Sequence, residues 1–153
     1  MPWIETASFG RLDYSEDAIL EFPAGLPAFE DQTRFVLIER SDLAPLVFLQ
    51  SLALPDLAFP ALPVAIVAPG YEIDIPEEDR ALLGLAGPPD AAGAGLLYLA
   101  VVTLSGEAPA TVNLMAPVVV NSALRRAVQV IQTALRYSHR HPLFVPQDAP
   151  PCS

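Results

Sequence analysis

An all-β domain, barrel or sandwich, is the fold class this sequence predicts, and three observations predict it. Seventeen prolines punctuate the 153 residues, and Pro23, Pro27, Pro45, Pro55, Pro60, Pro63, Pro69 and Pro76 recur through the first half. Each fixes φ and removes a backbone donor, which rules out long helices there. Between them lie short runs rich in β-branched and aromatic residues, bounded by turn signals. A hydrophobic fraction of 52% places the chain among globular rather than disordered sequences. Its length fits one domain, which at this size buries roughly 70% of its unfolded surface and needs no covalent staples.

Taken in order, Ile19-Leu20-Glu21-Phe22 alternates as a strand and runs into the turn Pro23-Ala24-Gly25. Arg34-Phe35-Val36-Leu37-Ile38 reads as a strand, as do Val64-Ala65-Ile66-Val67, Leu97 through Thr103, and Pro117-Val118-Val119-Val120. Pro76 through Gly84 carries acids in its first turn and glycine at its end, the signature of one short helix. Residues 87–95 are a glycine- and proline-rich loop without the lysine and Ser/Thr of a phosphate-binding loop. Segment 122–136 supports two readings. Leu124, Ala127, Val128, Ile131 and Leu135 share a helical face behind Ser122 as a cap, whereas Val128-Gln129-Val130 suits a strand. Periodicity alone favours the helix. Residues 1–145 form a single domain on this reading, and 146–153 an extended tail.

The formal net charge is −10, and lysine is absent. Residues 1–90 hold sixteen acids against four arginines, and residues 91–153 hold two acids against four. Such a surface repels phosphate and favours basic partners, so direct nucleic-acid binding is not expected. It also simply solvates the chain. The single Cys152 cannot make an internal disulfide, and the Met-Pro-Trp-Ile-Glu start has no basic or apolar leader. The apolar stretches 57–69 and 91–104 fall short of the ~20 residues that a spanning helix needs. The expected location is the cytoplasm, with no membrane partner.

Chemistry is sparse. His139 and His141 could share one side of an extended segment and hold a metal, but further ligands are lacking, so no metal or cofactor is expected. No serine sits in a strained-turn motif, and Glu77-Glu78-Asp79 is a dipole-favoured helix start before it is an acid catalyst. No catalytic residue is assigned, and a small hydrolase is the weakest alternative. What stands out is polar residues set in apolar strands. Gln50 and Ser51 interrupt Leu46 through Leu54, Asn113 interrupts Thr111 through Met115, and Asn121 follows three valines. A buried amide left unpaired costs roughly 1–3 kcal/mol, so each holds loop backbone at a corner or lies at an interface.

The same segments carry a family pattern. It comprises Gly10-Arg11-Leu12; Ile19 through Glu30, with Phe22-Pro23-Ala24-Gly25-Leu26-Pro27 at its centre; Leu49-Gln50-Ser51; Thr111-Val112-Asn113-Leu114-Met115-Ala116-Pro117 through Asn121; Gln129-Val130-Ile131; and Tyr137-Ser138-His139-Arg140-His141-Pro142-Leu143. In this order and spacing the chain resembles the FliW flagellar assembly factors from about residue 9 to 144. The Thr-Val-Asn-Leu-x-Ala-Pro segment is the most specific piece. Two positions depart: the family's glycine in its Gly-Phe-Glu turn is Ala28, and its aspartate before the mid-chain proline is Ala68.

The resemblance implies a mainly β, antiparallel barrel-like single domain with at most one or two short helices, and a strand rather than a helix around Gln129-Val130-Ile131. It implies two partners, flagellin and the RNA-binding translational repressor CsrA, bound in exchange without catalysis. A dedicated flagellin chaperone with no regulatory role is the alternative. The expected partner-binding residues are Gln50, Ser51, Asn113, Met115, Asn121 and Gln129.

Overall fold

Val118, Val119 and Val120 are all buried, although neighbouring residues of a strand point to opposite faces. That requires a sheet covered on both sides, and the fold supplies one. The computed structural model describes residues 2–7, 9–26, 29–84, 96–103, 110–132, 137–138 and 140–142. The loop expected at 87–95, Ala28, the end of segment 122–136, His139 and the tail with Cys152 lie outside the described residues.

Strands β1 (Trp3–Thr6) and β2 (Gly10–Asp13) form an antiparallel hairpin of their own. Then come β3 (Ile19–Glu21), β4 (Arg34–Glu39), β5 (Val47–Ser51), β6 (Ala58–Pro63), helices α1 (Val64–Val67) and α2 (Glu77–Leu83), and β7 (Leu96–Thr103). The order ends with β8 (Thr111–Val112), β9 (Val118–Asn121), β10 (Arg126–Gln129) and β11 (His141–Pro142). Among the described residues seven strands close a barrel in the order β7-β6-β5-β4-β3-β10-β9 and back to β7. All of these pairings are antiparallel except β3 with β10, which meet in parallel through the single register pair Arg126↔Glu21. β8 and β11 extend from the far end of β7. The expected mainly β barrel with two short helices is the observed architecture.

The barrel is filled by Leu20, Phe22, Leu26, Phe35, Val47, Leu49, Ala61, Leu99, Val118, Val120 and Ala127. Phe22 and Phe35 meet edge-to-face at 5.0 Å between ring centroids, a favoured aromatic geometry. Outside, the β1–β2 hairpin lays Phe9 and Leu12 on Ile19, Val36 and Ile38. Helix α2 and Ile73–Ile75 cover Val119, Val128 and Val130. Helix α1 and Tyr71 cover Leu62, Ala100, Val102 and Val112. The turn after β3 is fixed by Gly25, whose φ of +66° suits glycine, and a Cβ there would collide with the Glu30 carbonyl.

Two local readings resolve here. Val64–Val67, expected as a strand, is one turn of helix closed by Ala68 N–H donating to the Val64 carbonyl. β6 ends at Pro63 and the chain leaves the barrel, so Val64 turns inward while Ile66 is exposed. Four β-branched or small residues between prolines do not distinguish a strand from a single turn. In segment 122–136, residues 122–125 form a turn and β10 follows over Arg126–Gln129, a strand as the family resemblance implies and against the periodicity, although it ends at Gln129 and does not run on through Val130 and Ile131. Burial decides it. Val128, Val130 and Gln132 are buried at every second position, whereas a helical face would bury Leu124 and Ile131, which are 49% and 58% exposed.

Candidate functional site

The polar residues singled out in the sequence fall into three groups, each at a barrel corner. Gln50 and Ser51 end β5 and are fully buried. Gln50 Nε2 donates toward the carbonyls of Ser51 (3.0 Å), Pro55 (3.2 Å), Leu57 (3.2 Å) and Leu54 (3.4 Å). Its Oε1 has no hydrogen-bond partner among the described residues. Ser51 Oγ donates to Gln32 Oε1 at 2.9 Å and accepts from the Ala53 and Leu54 N–H groups. Together they fix loop 52–57, which the Ala7 N–H ties to the hairpin by donating to the Pro55 carbonyl. Leu54, Pro55, Asp56 and Leu57 line a shallow recess of about 300 Å³ on that loop.

Asn113, Met115 and Gln129 are brought together around the backbone of Ala116. Asn113 Oδ1 accepts from the Met115 and Ala116 N–H groups, both at 3.0 Å, and Gln129 Nε2 donates to the Ala116 carbonyl at 2.9 Å. The Val130 and Gln132 N–H groups donate to the Pro117 and Met115 carbonyls. Loop 113–117 is therefore held on both sides, with Met115 half-buried at its surface. Asn121 stands apart. It is buried, and its Nδ2 donates at 2.8 Å to the Leu83 carbonyl, anchoring the last turn of α2 on the barrel.

Three further side chains complete this corner and were not singled out from the sequence. Gln132 Oε1 accepts from the Asp74 N–H and its Nε2 donates to the Asp74 carbonyl, both at 2.9 Å, as a neighbouring strand would. The Tyr137 hydroxyl accepts from the Glu72 N–H, and the Tyr71 hydroxyl donates to the Leu114 carbonyl. The two rings stack at 4.1 Å. Burial, helped by Tyr137, pushes the Tyr71 phenol up to about 12. These bonds hold segment 71–75 as a strap leading into the acids of α2. The strap's signal was available, since Gln132 is another amide in an apolar run. There burial also raises the Asp79 carboxyl above its usual value, with Glu78 adding to the shift.

His141 lies in β11 opposite Val112 and is half-buried. Among the described residues no group of three or more His, Cys, Asp or Glu side chains could hold a metal, and no helix is long and apolar enough to cross a membrane.

Comparison with known proteins bears on all of this. A family model described as FliW protein matches residues 3–143. A flagellar assembly factor FliW of Syntrophomonas wolfei is 32% identical over 146 residues, covering 95% of this chain and 91% of the relative. One from Azoarcus sp. strain BH72 is 39% identical over 135 residues, covering 84% and 89%. A crystal structure of the flagellar assembly factor FliW superposes with a TM-score of 0.82 at 30% identity, covering 95% of this chain and 99% of the other. With the same barrel and nearly the whole chain matched, this protein belongs to the FliW family of flagellar assembly factors.

Proposed function

We propose that this chain acts in the cytoplasm by binding flagellin and, in exchange, the repressor CsrA, without catalysis. While flagellin is abundant it occupies the chain. When flagellin is exported, the chain is released to bind the repressor and relieve repression of flagellin synthesis. The observation that carries this reading is the surface charge. Every described acid of residues 1–90 is exposed except the half-buried Asp79. The ion pairs of Arg11, Arg34, Arg40 and Arg125 with Asp13, Glu21, Asp42 and Asp17 leave that stretch strongly acidic. An acidic protein docked beside a basic RNA-binding surface raises the cost of placing phosphates there. Flagellin is held instead by apolar contact, as amphipathic helices usually are.

We put the partner surface on loops 52–57 and 113–117 and the end of α2. Met115 makes direct contact, while Gln50, Ser51, Asn113, Asn121 and Gln129 hold those backbones in place. Preformed loops lose less freedom on binding, which supports the assignment. Asn113→Ala tests it, with thermal unfolding and calorimetric titration of each purified partner as readouts. The expected variant folds and binds at least one partner about tenfold more weakly, a loss of about 1.4 kcal/mol. A folded variant that binds both partners as tightly as the parent would remove loop 113–117 from the interface.

A further inference from the structure

The strap over residues 71–75 is fastened in an unusual way. Among the described residues its one backbone–backbone bond is local, from the Tyr71 N–H to the Ala68 carbonyl, and none reaches a barrel strand. Side chains hold it instead. Tyr137 Oη accepts from the Glu72 N–H at 2.8 Å, Gln132 takes both backbone groups of Asp74 at 2.9 Å, and the Tyr71 hydroxyl donates to the Leu114 carbonyl.

Every one of these ties ends on loop 113–117. Tyr71 reaches Leu114 directly. Gln132 donates its own N–H to the Met115 carbonyl at 2.6 Å, and the Ser138 carbonyl next to Tyr137 accepts from the Leu114 N–H at 2.9 Å. Leu114 and Met115 therefore cannot shift without pulling on all three side chains that fasten the strap.

The strap also sets charge. Residues 72–79 hold five acids, Glu72, Asp74, Glu77, Glu78 and Asp79. The last three are fixed by helix α2, which Asn121 anchors at Leu83, and by Ile75, buried against Val119, Val128 and Val130. Glu72 and Asp74 join them only while residues 71–74 stay fastened. Both are exposed, so backbone groups released there pass to water, which keeps the opening of this segment cheap.

We infer that residues 71–74 are a latch that couples the two partners. Flagellin seated on Met115 draws loop 113–117 outward and unfastens the strap, and CsrA then loses the fixed positions of Glu72 and Asp74. The inference rests on the exchange reading above, with the apolar Met115 given to flagellin and the acidic run to CsrA. Linkage makes the effect mutual, since CsrA that holds the strap closed weakens flagellin by the same factor.

The test measures amide exchange and partner affinity in the intact chain. Saturating flagellin is expected to speed exchange at Glu72 and Asp74 at least about tenfold, and unchanged or slower exchange there would overturn the latch. CsrA affinity is expected to fall about a hundredfold when flagellin saturates the parent. Tyr71→Phe combined with Gln132→Leu leaves the strap open, so the two affinities should move in opposite directions. CsrA alone is expected to bind at least about tenfold more weakly and flagellin alone more tightly, with less than about tenfold further loss of CsrA on adding flagellin. Tyr71→Phe by itself reads the same signs at smaller size if the double variant disturbs folding. A parent chain that binds neither partner would defeat the functional reading itself. Folded variants with parent-like affinities, or with both affinities weakened together, would defeat the latch alone.

Discussion

At Gln50 an amide stands where the strand pattern asks for an apolar side chain, and its Nε2 faces the Ser51 carbonyl at the end of β5 and the loop carbonyls of Leu54, Pro55 and Leu57. Gln50→Ala removes those bonds and opens a cavity in a fully buried site. The expected loss is about 2–4 kcal/mol by chemical denaturation, with loop 52–57 loosened first. An unchanged midpoint would show that the loop is held by other means. Tyr71 makes a prediction in pH. Its phenol is raised from 10.0 to about 12, so the folded state holds the proton more tightly than the unfolded state. The stability this contributes is complete below pH 10 and is lost as pH rises through about 12. Tyr98 is raised in the same direction by burial, so the readout is the difference between the parent and Tyr71→Phe. That difference is expected to shrink across the window, and a constant difference would exclude titration of Tyr71.

Among the elements, the strap 71–75 and segment 122–132 show how far local sequence carries. The strap has no ladder of its own and borrows one from the Gln132 amide. Gln132→Leu is expected to speed amide hydrogen exchange at Asp74 and Ile75 while costing only about 1 kcal/mol globally, because the Asp74 backbone is near water. Exchange there at the parent's rate would show that apolar packing of Ile73 and Ile75 suffices. β3, β4, β7, β9 and helix α2 were legible as runs and caps, because each local pattern agrees with its environment. Val64–Val67 and segment 122–132 were not. Both are short, apolar on more than one face, and decided by where the barrel sends the chain next. The site divides in the same way. Gln50, Asn113 and Asn121 stood out as amides in apolar runs. The bonds by which Gln50 and Asn113 hold their loops are local, only a few residues apart in sequence. That Asn121 anchors α2, and that Leu124 and Arg126 line one recess with Ala81 and Leu82, depends instead on distant parts of the chain meeting.

For the whole molecule the governing feature is a barrel closed by a single parallel register pair and wrapped in acids. Long-range attraction should speed its encounter with a basic partner and fade as salt shortens the screening length to ~8 Å at 0.15 M. Association with CsrA is therefore expected to slow by about tenfold or more between ~0.05 and ~0.5 M salt, with flagellin association changing far less. Stopped-flow mixing at several ionic strengths reads both rates. Equal slopes for the two partners would contradict an electrostatic preference for one of them. Exchange between partners is tested most directly by adding flagellin stepwise to a preformed complex of this chain with CsrA and following released CsrA by size-exclusion chromatography. The account predicts stoichiometric release with no species containing all three. A stable ternary complex, or CsrA that stays bound at saturating flagellin, would contradict it.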